Sequence, residues 1–207
     1  MKSKVKALSK AEQRRLANFE AISEEMKRQG YTQRDLTINM SKANLFAVSL
    51  FVLLLIVGAG LYYLVHRSVD FTGYSLVVFL VAVAVLSVAH ELIHGLSWSR
   101  FTPHRFKDIE FGIQKTTITP CCTCLVPLKK QHYLIGAAMP LVVLGIIPMI
   151  VGIAIGNSNV VFMGTVMAAS AAGDILIMKS LIGYKSSAGE IVYMDHPTEV
   201  GSVVFEK

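Results

Sequence analysis

Val88-Ala89-His90-Glu91-Leu92-Ile93-His94-Gly95 closes an apolar run that begins at Tyr74. The run reads as a helix. Residues four apart on a helix are offset by about 40° and one turn, so His90 and His94 point the same way and can bind one metal ion. Glu91 lies about 60° from His94, on the flank of the pair, where it reaches a metal-held water rather than the metal. This is the H-E-x-x-H spacing of two zinc ligands and a general base. The plainer reading is a helix that carries these side chains for packing. It has to explain three ionisable groups at the end of an apolar span, where they are costly and usually functional.

The composition around this stretch points to a membrane. Mean hydropathy is +0.54 and only 16% of the residues are charged, far from the averages of soluble chains. A length of 207 residues allows one domain of ordinary size. The net charge of +6 has no aromatic-basic pattern beside it, so nucleic acid is not an expected partner. The three cysteines all fall within Cys121–Cys124 and form no disulfide framework. Cys121-x-x-Cys124 has ligand or redox spacing, blurred by Cys122 between them, and a structural or incidental role is favoured over a second metal site.

Four apolar segments are long enough to cross the hydrocarbon core: residues 43–65, 74–96, 133–156 and 160–182. Pro140 and Pro148 interrupt the third, where they should kink it and free backbone groups. The expected fold is therefore an all-α membrane protein with about four transmembrane helices and a short β-like cytosolic loop. Its divisions are an N-terminal helical segment (1–42), the four-span domain (43–182) and a C-terminal tail (183–207). Ser9-Lys10-Ala11-Glu12 is a capping box, and Leu16, Phe19, Ile22 and Met26 then give one apolar face before Gly30 stops the helix. That face is expected to pack on the protein's own cytosolic part; the alternative is a helix lying on anionic lipid. No signal peptide is expected, because the first apolar run comes late and no cleavage site follows it. Within the polar loop, Ile109, Phe111, Ile113 and Ile118 alternate loosely and suggest a short strand or hairpin; Gly201–Phe205 suggests another strand.

Lysine and arginine number ten in residues 1–42 and six in residues 97–132, against one in the first link and none in the third. The positive-inside rule then puts both termini in the cytoplasm of a multi-pass cell-membrane protein. His90 lies sixteen residues into the second span and Asp174 fourteen into the fourth, both running inward and so at similar depth. Asp174 is the leading third metal ligand, since a lone carboxylate in a span is costly unless it is paired or metal-bound. Ala168-Ala169-Ser170-Ala171-Ala172-Gly173 before it would let helix backbones approach closely. An ion pair with Lys179 is the competing role for Asp174. The competing ligands are His104, His132, His196 and Asp195.

Two histidines and one carboxylate leave a fourth position open, the pattern of a catalytic rather than a structural zinc site. Zinc would lower the pKa of water towards about 7, and Glu91 would take its proton and pass it to the leaving amine. The expected activity is peptide-bond hydrolysis in a membrane or juxtamembrane protein substrate at the lipid bilayer. A zinc-binding membrane protein without turnover, sensor or structural, is the alternative. The first and third spans carry no Asp, Glu, Lys or Arg, which argues against a transporter.

His90-Glu91-Leu92-Ile93-His94-Gly95, Cys124-Leu125-Val126-Pro127-Leu128, Gly136-Ala137-Ala138-Met139-Pro140, Ala172-Gly173-Asp174-Ile175 and Asp195-His196-Pro197-Thr198 together resemble the putative zincin peptidases, a bacterial membrane family. The resemblance covers most of the chain after Lys42. That family is in turn similar to intramembrane metalloproteases of the site-2-protease type. The resemblance implies His90, His94 and Asp174 as ligands and Glu91 as catalytic acid/base. One departure is visible: the later motif here is Gly173-Asp174, with no nearby upstream Asn, where the site-2 pattern has Asn and Pro ahead of Asp-Gly.

Overall fold

The structure is a computed structural model and describes residues 10–114 and 119–207. Helix α1 (Lys10–Arg28) ends before Gly30, whose φ of 89° is one that residues with a side chain rarely adopt. Ser9 of the capping box and Ile118 of the alternating loop lie outside the described residues. Helix α2 (Met40–His66) and helix α3 (Leu76–Trp98) begin at side-chain caps, Asn39 on the Lys42 N–H and Ser75 on the Val78 N–H. The third apolar segment is helix α4 (Lys130–Pro140), a π-helical turn (Leu141–Ile146) and helix α5 (Ile147–Ala154). The two prolines mark the joints: Pro140 ends α4 and Pro148 sits in the first turn of α5.

The fourth segment departs from a single straight span. It is helix α6 (Ser158–Ser170) and helix α7 (Ala172–Gly183), bent by 48° at Ala171. Among the described residues three helices are long and apolar enough to cross a membrane, and a fourth is if this bent pair counts as one span. Leu76, Leu80, Val81, Val85, Val88, Leu92 and Leu96 of α3 are exposed, while His90, His94 and Trp98 of the same helix are buried. One flank of α3 therefore suits lipid and the other holds the polar side chains.

A four-stranded antiparallel sheet was not anticipated by the all-α expectation. It joins β1 (Thr32–Thr37), β6 (Gly201–Glu206), β5 (Ile191–Asp195) and β4 (Leu128–Lys129), in that order. β1 is Thr-Gln-Arg-Asp-Leu-Thr, too polar to read as a strand alone; its pairing with β6, from the other end of the chain, makes it one. β6 is buried on both faces. Val204 joins a core with Trp98, Ile109, Cys124, Leu128, Tyr133, Ala137, Leu181 and Tyr193. Val203 and Phe205 face the other way with Met194 and Phe19, where Ile22 and Met26 of α1 also pack. The apolar face of α1 thus lies on the sheet rather than on lipid. Burying one such Phe contributes about 2 kcal/mol.

The expected hairpin is β2 (Ile109–Gln114) paired antiparallel with β3 (Thr119–Cys124). It lies against the end of α3. A Cβ placed on Gly95 would fall 2.4 Å from Cζ of Phe111, so the missing side chain is what lets the hairpin approach the helix.

Candidate metal centre

Helix α3 delivers His90 and His94 one turn apart, and the first turn of α7 delivers Asp174. His90 Nε2 lies 3.1 Å from Asp174 Oδ2, His94 Nε2 lies 3.3 Å from Asp174 Oδ1, and the two Nε2 atoms are 3.2 Å apart. Among the described residues this is the one group of three His, Cys, Asp or Glu side chains that could hold a metal ion. Ligand atoms about 2.0–2.1 Å from a tetrahedral zinc stand roughly 3.3 Å apart, so the observed spacings match a tetrahedral face. His90 is 7% exposed and His94 4%.

The tautomer of His94 also fits. Its Nδ1 lies 2.9 Å from the Gly136 carbonyl oxygen, which can only accept, so Nδ1 carries a proton and Nε2 is the nitrogen that a neutral ring turns to the cluster as ligand. The sequence explains why that carbonyl is there to be used. The helical donor to residue 136 would be the N–H of residue 140, and residue 140 is proline. Pro140 therefore leaves the Gly136 carbonyl without its usual partner, and His94 takes the place. Residue 136 also has to be glycine: a Cβ there would sit 2.0 Å from Trp98 Nε1 and 2.1 Å from Trp98 Cδ1. Trp98 stacks on His94 with ring centroids 4.9 Å apart and donates from Nε1 to the Tyr133 carbonyl at 3.1 Å. Helix α4 thus fixes His94 from one side and the indole fixes it from the other. His90 has no such brace: its Nδ1 is buried with no hydrogen-bond partner among the described residues.

Glu91 is beside the set and outside it, as its place on the helix predicts. It lines the same spaces as His90, His94 and Asp174, with the backbone N–H of Cys122 on β3 facing its carboxylate. A cleft of about 550 Å³ opens onto His90, Glu91 and Asp174, walled by α1, the start of α2, β3 and the β5–β6 turn. A smaller cavity of about 110 Å³ lies inward of it, lined by Glu91, His94, Trp98, Cys122, Tyr133, Ala137, Asp174, Ile177 and Asp195.

The competing assignments fall elsewhere. His132 stacks on Phe101 at 4.2 Å, and His104 binds Asp108. His196 lines the cleft and accepts from the N–H groups of Thr198 and Glu199. Asp195 accepts from the Tyr133 hydroxyl and, at 2.7 Å, from the Cys124 N–H. Asp174 has the two histidines, not Lys179, as its side-chain neighbours. The small-residue run does give a close approach, to the third apolar segment: a Cβ on Gly145 of the π turn would lie 2.9 Å from Cα of Ala168. The run also contains the bend at Ala171 that precedes Asp174. Sequence reasoning missed Gly136, Trp98 and Tyr133. The proline four residues after Gly136 was the available signal for the first.

Cys122 and Cys124 do not form a second metal group among the described residues. Burial, reinforced by the nearby Asp195 charge, pushes the Cys124 thiol up to about 12 and Cys122 higher still. A raised thiol pKa means a protonated, unreactive sulfur at neutral pH. Iodoacetamide at about pH 8 should therefore leave Cys122 and Cys124 unmodified in the folded protein and alkylate both after denaturation, read by peptide mass spectrometry. Rapid labelling of either in the folded state would contradict this.

Residues 83–188, just over half of the chain, match the family model described as "putative zincin peptidase", a stretch that takes in His90, Glu91, His94 and Asp174. The chain belongs to that family. No curated protein and no solved structure gives a significant match. The family description points to zinc peptidase chemistry, and the His90–His94–Asp174 group of this member could bind the metal that description implies.

Proposed function

We propose that this member of the zincin peptidase family is a membrane-embedded zinc metallopeptidase, in which His90, His94 and Asp174 hold the ion and Glu91 is the general base. The observation that carries the reading is the convergence of those three side chains, 84 residues apart in sequence at the extremes, with His94 already in the tautomer a metal needs. Bound there, zinc would supply Lewis-acid activation of water and of the scissile carbonyl. Glu91 takes one proton from the attacking water as the water oxygen bonds to the carbonyl carbon. The C–N bond breaks with its electron pair on nitrogen, and Glu91 delivers the proton there. The Cys122 N–H faces the Glu91 carboxylate during both tasks. The cleft admits substrate from the side where α1, the sheet and the hairpin gather. The lysine and arginine distribution assigns that side and both termini to the cytoplasm, so the substrate is a peptide segment in or beside the membrane.

The decisive test begins with metal. Elemental analysis of detergent-purified, metal-replete protein should find stoichiometric zinc, lost in both His94→Ala and Asp174→Ala. The molecule carries its own optical reporter, because Trp98 is the single tryptophan and stacks on His94. Adding zinc to the chelator-treated protein should change tryptophan emission saturably, and the change should vanish in Asp174→Ala, which leaves the stack untouched. Absence of zinc in well-folded protein would remove the enzyme reading. Zinc without hydrolysis of any peptide in a quenched-fluorescence library would favour the sensor or structural alternative.

A further inference from the structure

The hydrolytic scheme above leaves one buried polar pair unused. Tyr133 is 1% exposed, and it and Asp195 both line the inner cavity with Glu91, His94 and Asp174. Asp195 comes from β5, in the C-terminal tail, and its carboxylate is fully engaged. One oxygen accepts the Tyr133 hydroxyl proton and the other accepts the Cys124 N–H at 2.7 Å. That arrangement dictates what Tyr133 offers. With its proton committed to a carboxylate, the phenol oxygen presents only lone pairs to the cavity. It is an acceptor on a residue that shares a cavity with Glu91, His94 and Asp174, and the carboxylate behind it makes it a stronger one.

We infer that Tyr133 accepts a hydrogen bond from the N–H of the scissile amide and holds the nitrogen as the amine departs, with Asp195 as the positioning residue that orients the phenol. The inference rests on the peptidase reading and adds to it a group that contacts the leaving side of the bond. Of the atoms of a peptide bond, the N–H alone can use a lone-pair acceptor. The carbonyl oxygen needs donors or a cation, which an Asp195-bound phenol does not supply. As the C–N bond breaks and Glu91 transfers its proton, the nitrogen gains positive character. An oxygen hydrogen-bonded to an anion is suited to face it. Asp195 also anchors β3 through Cys124, two residues from the Cys122 N–H that faces Glu91, so one carboxylate sets both sides of the inner cavity.

The test uses the full-length protein and a matched pair of probes: a peptide selected by its binding to the Glu91→Gln protein, and its depsipeptide, in which the amide at the bond to be cleaved is an ester and the N–H is absent. Tyr133→Phe should lower kcat on the peptide by about tenfold or more and change ester hydrolysis by less than about twofold. Asp195→Asn should show the same bias towards the ester. Zinc content of Tyr133→Phe should match the unaltered protein, while its melting temperature falls by a few degrees because the buried Asp195 loses a donor. Equal losses on amide and ester, or no loss on either, would overturn the assignment and leave the pair a packing feature. A binding measurement separates this from failure of the peptidase reading itself. In a Glu91→Gln background, fluorescence anisotropy should show the peptide bound more tightly than the ester, a preference that Tyr133→Phe erases. If the unaltered protein cleaves neither substrate, the peptidase reading falls. The amide preference in binding, present or absent, then still decides whether Tyr133 faces an N–H.

Discussion

Glu91→Gln is expected to lower peptide hydrolysis by about a thousandfold while zinc stays at the level of the unaltered protein. Gln keeps the length of Glu and an oxygen that can face the Cys122 N–H, so neither the helix nor β3 has reason to move. What it loses is the ability to take a proton from water and carry it to nitrogen. A thousandfold corresponds to about 4 kcal/mol of barrier, within the range general acid–base groups supply. Because Glu91 stands outside the His90–His94–Asp174 group, the metal count should not follow the activity. Elemental analysis and initial rates on the same preparation check both halves. Proteolysis surviving in the variant would exclude the mechanism. Zinc lost along with activity would put Glu91 among the ligands instead.

The second large effect is expected far from the H-E-x-x-H stretch. Gly136→Ala should reduce zinc affinity by about 10–100-fold, the range for losing a partner behind a metal-binding histidine, and lower thermal stability as well. The added Cβ would meet Trp98 Nε1 at 2.0 Å and Cδ1 at 2.1 Å, inside any allowed contact. The indole is 5% exposed and held at Tyr133, so it has little room to retreat. Either Trp98 leaves its stack on His94 or α4 moves away from α3, taking with it the carbonyl that fixes Nδ1 of His94. Overpacking of this kind costs about 1–3 kcal/mol or more. Zinc titration followed by Trp98 emission, with a melting curve in detergent, reads both effects. Unchanged affinity in a folded variant would show that the Gly136 carbonyl is not needed to hold His94.

Local patterns were legible wherever a short stretch settles its own conformation. The end of α1 before Gly30, the hairpin, the strand from Gly201 and the apolar face of α1 all follow from local spacing and turn residues. The four-stranded sheet did not, because β1 and β6 stand 174 residues apart at their outermost pair, Thr32 and Glu206, and β1 has no apolar alternation to announce a partner. The bend between α6 and α7 was hidden for a related reason: a run of small residues allows a close approach without saying to which helix, and it went to Gly145.

The sequence by itself determined the helix that carries His90, Glu91 and His94, the apolar spans, and the cost that made Asp174 stand out, since each depends on periodicity or on one residue in its own segment. The tertiary structure alone decided that Asp174 meets both histidines within 3.3 Å, that Asp195 binds Tyr133 instead of joining them, and that Trp98 and the Gly136 carbonyl hold His94. Those are contacts between segments. Chain order sets which residues are available for them, but only packing, with its few allowed approaches between helices, selects the ones that form.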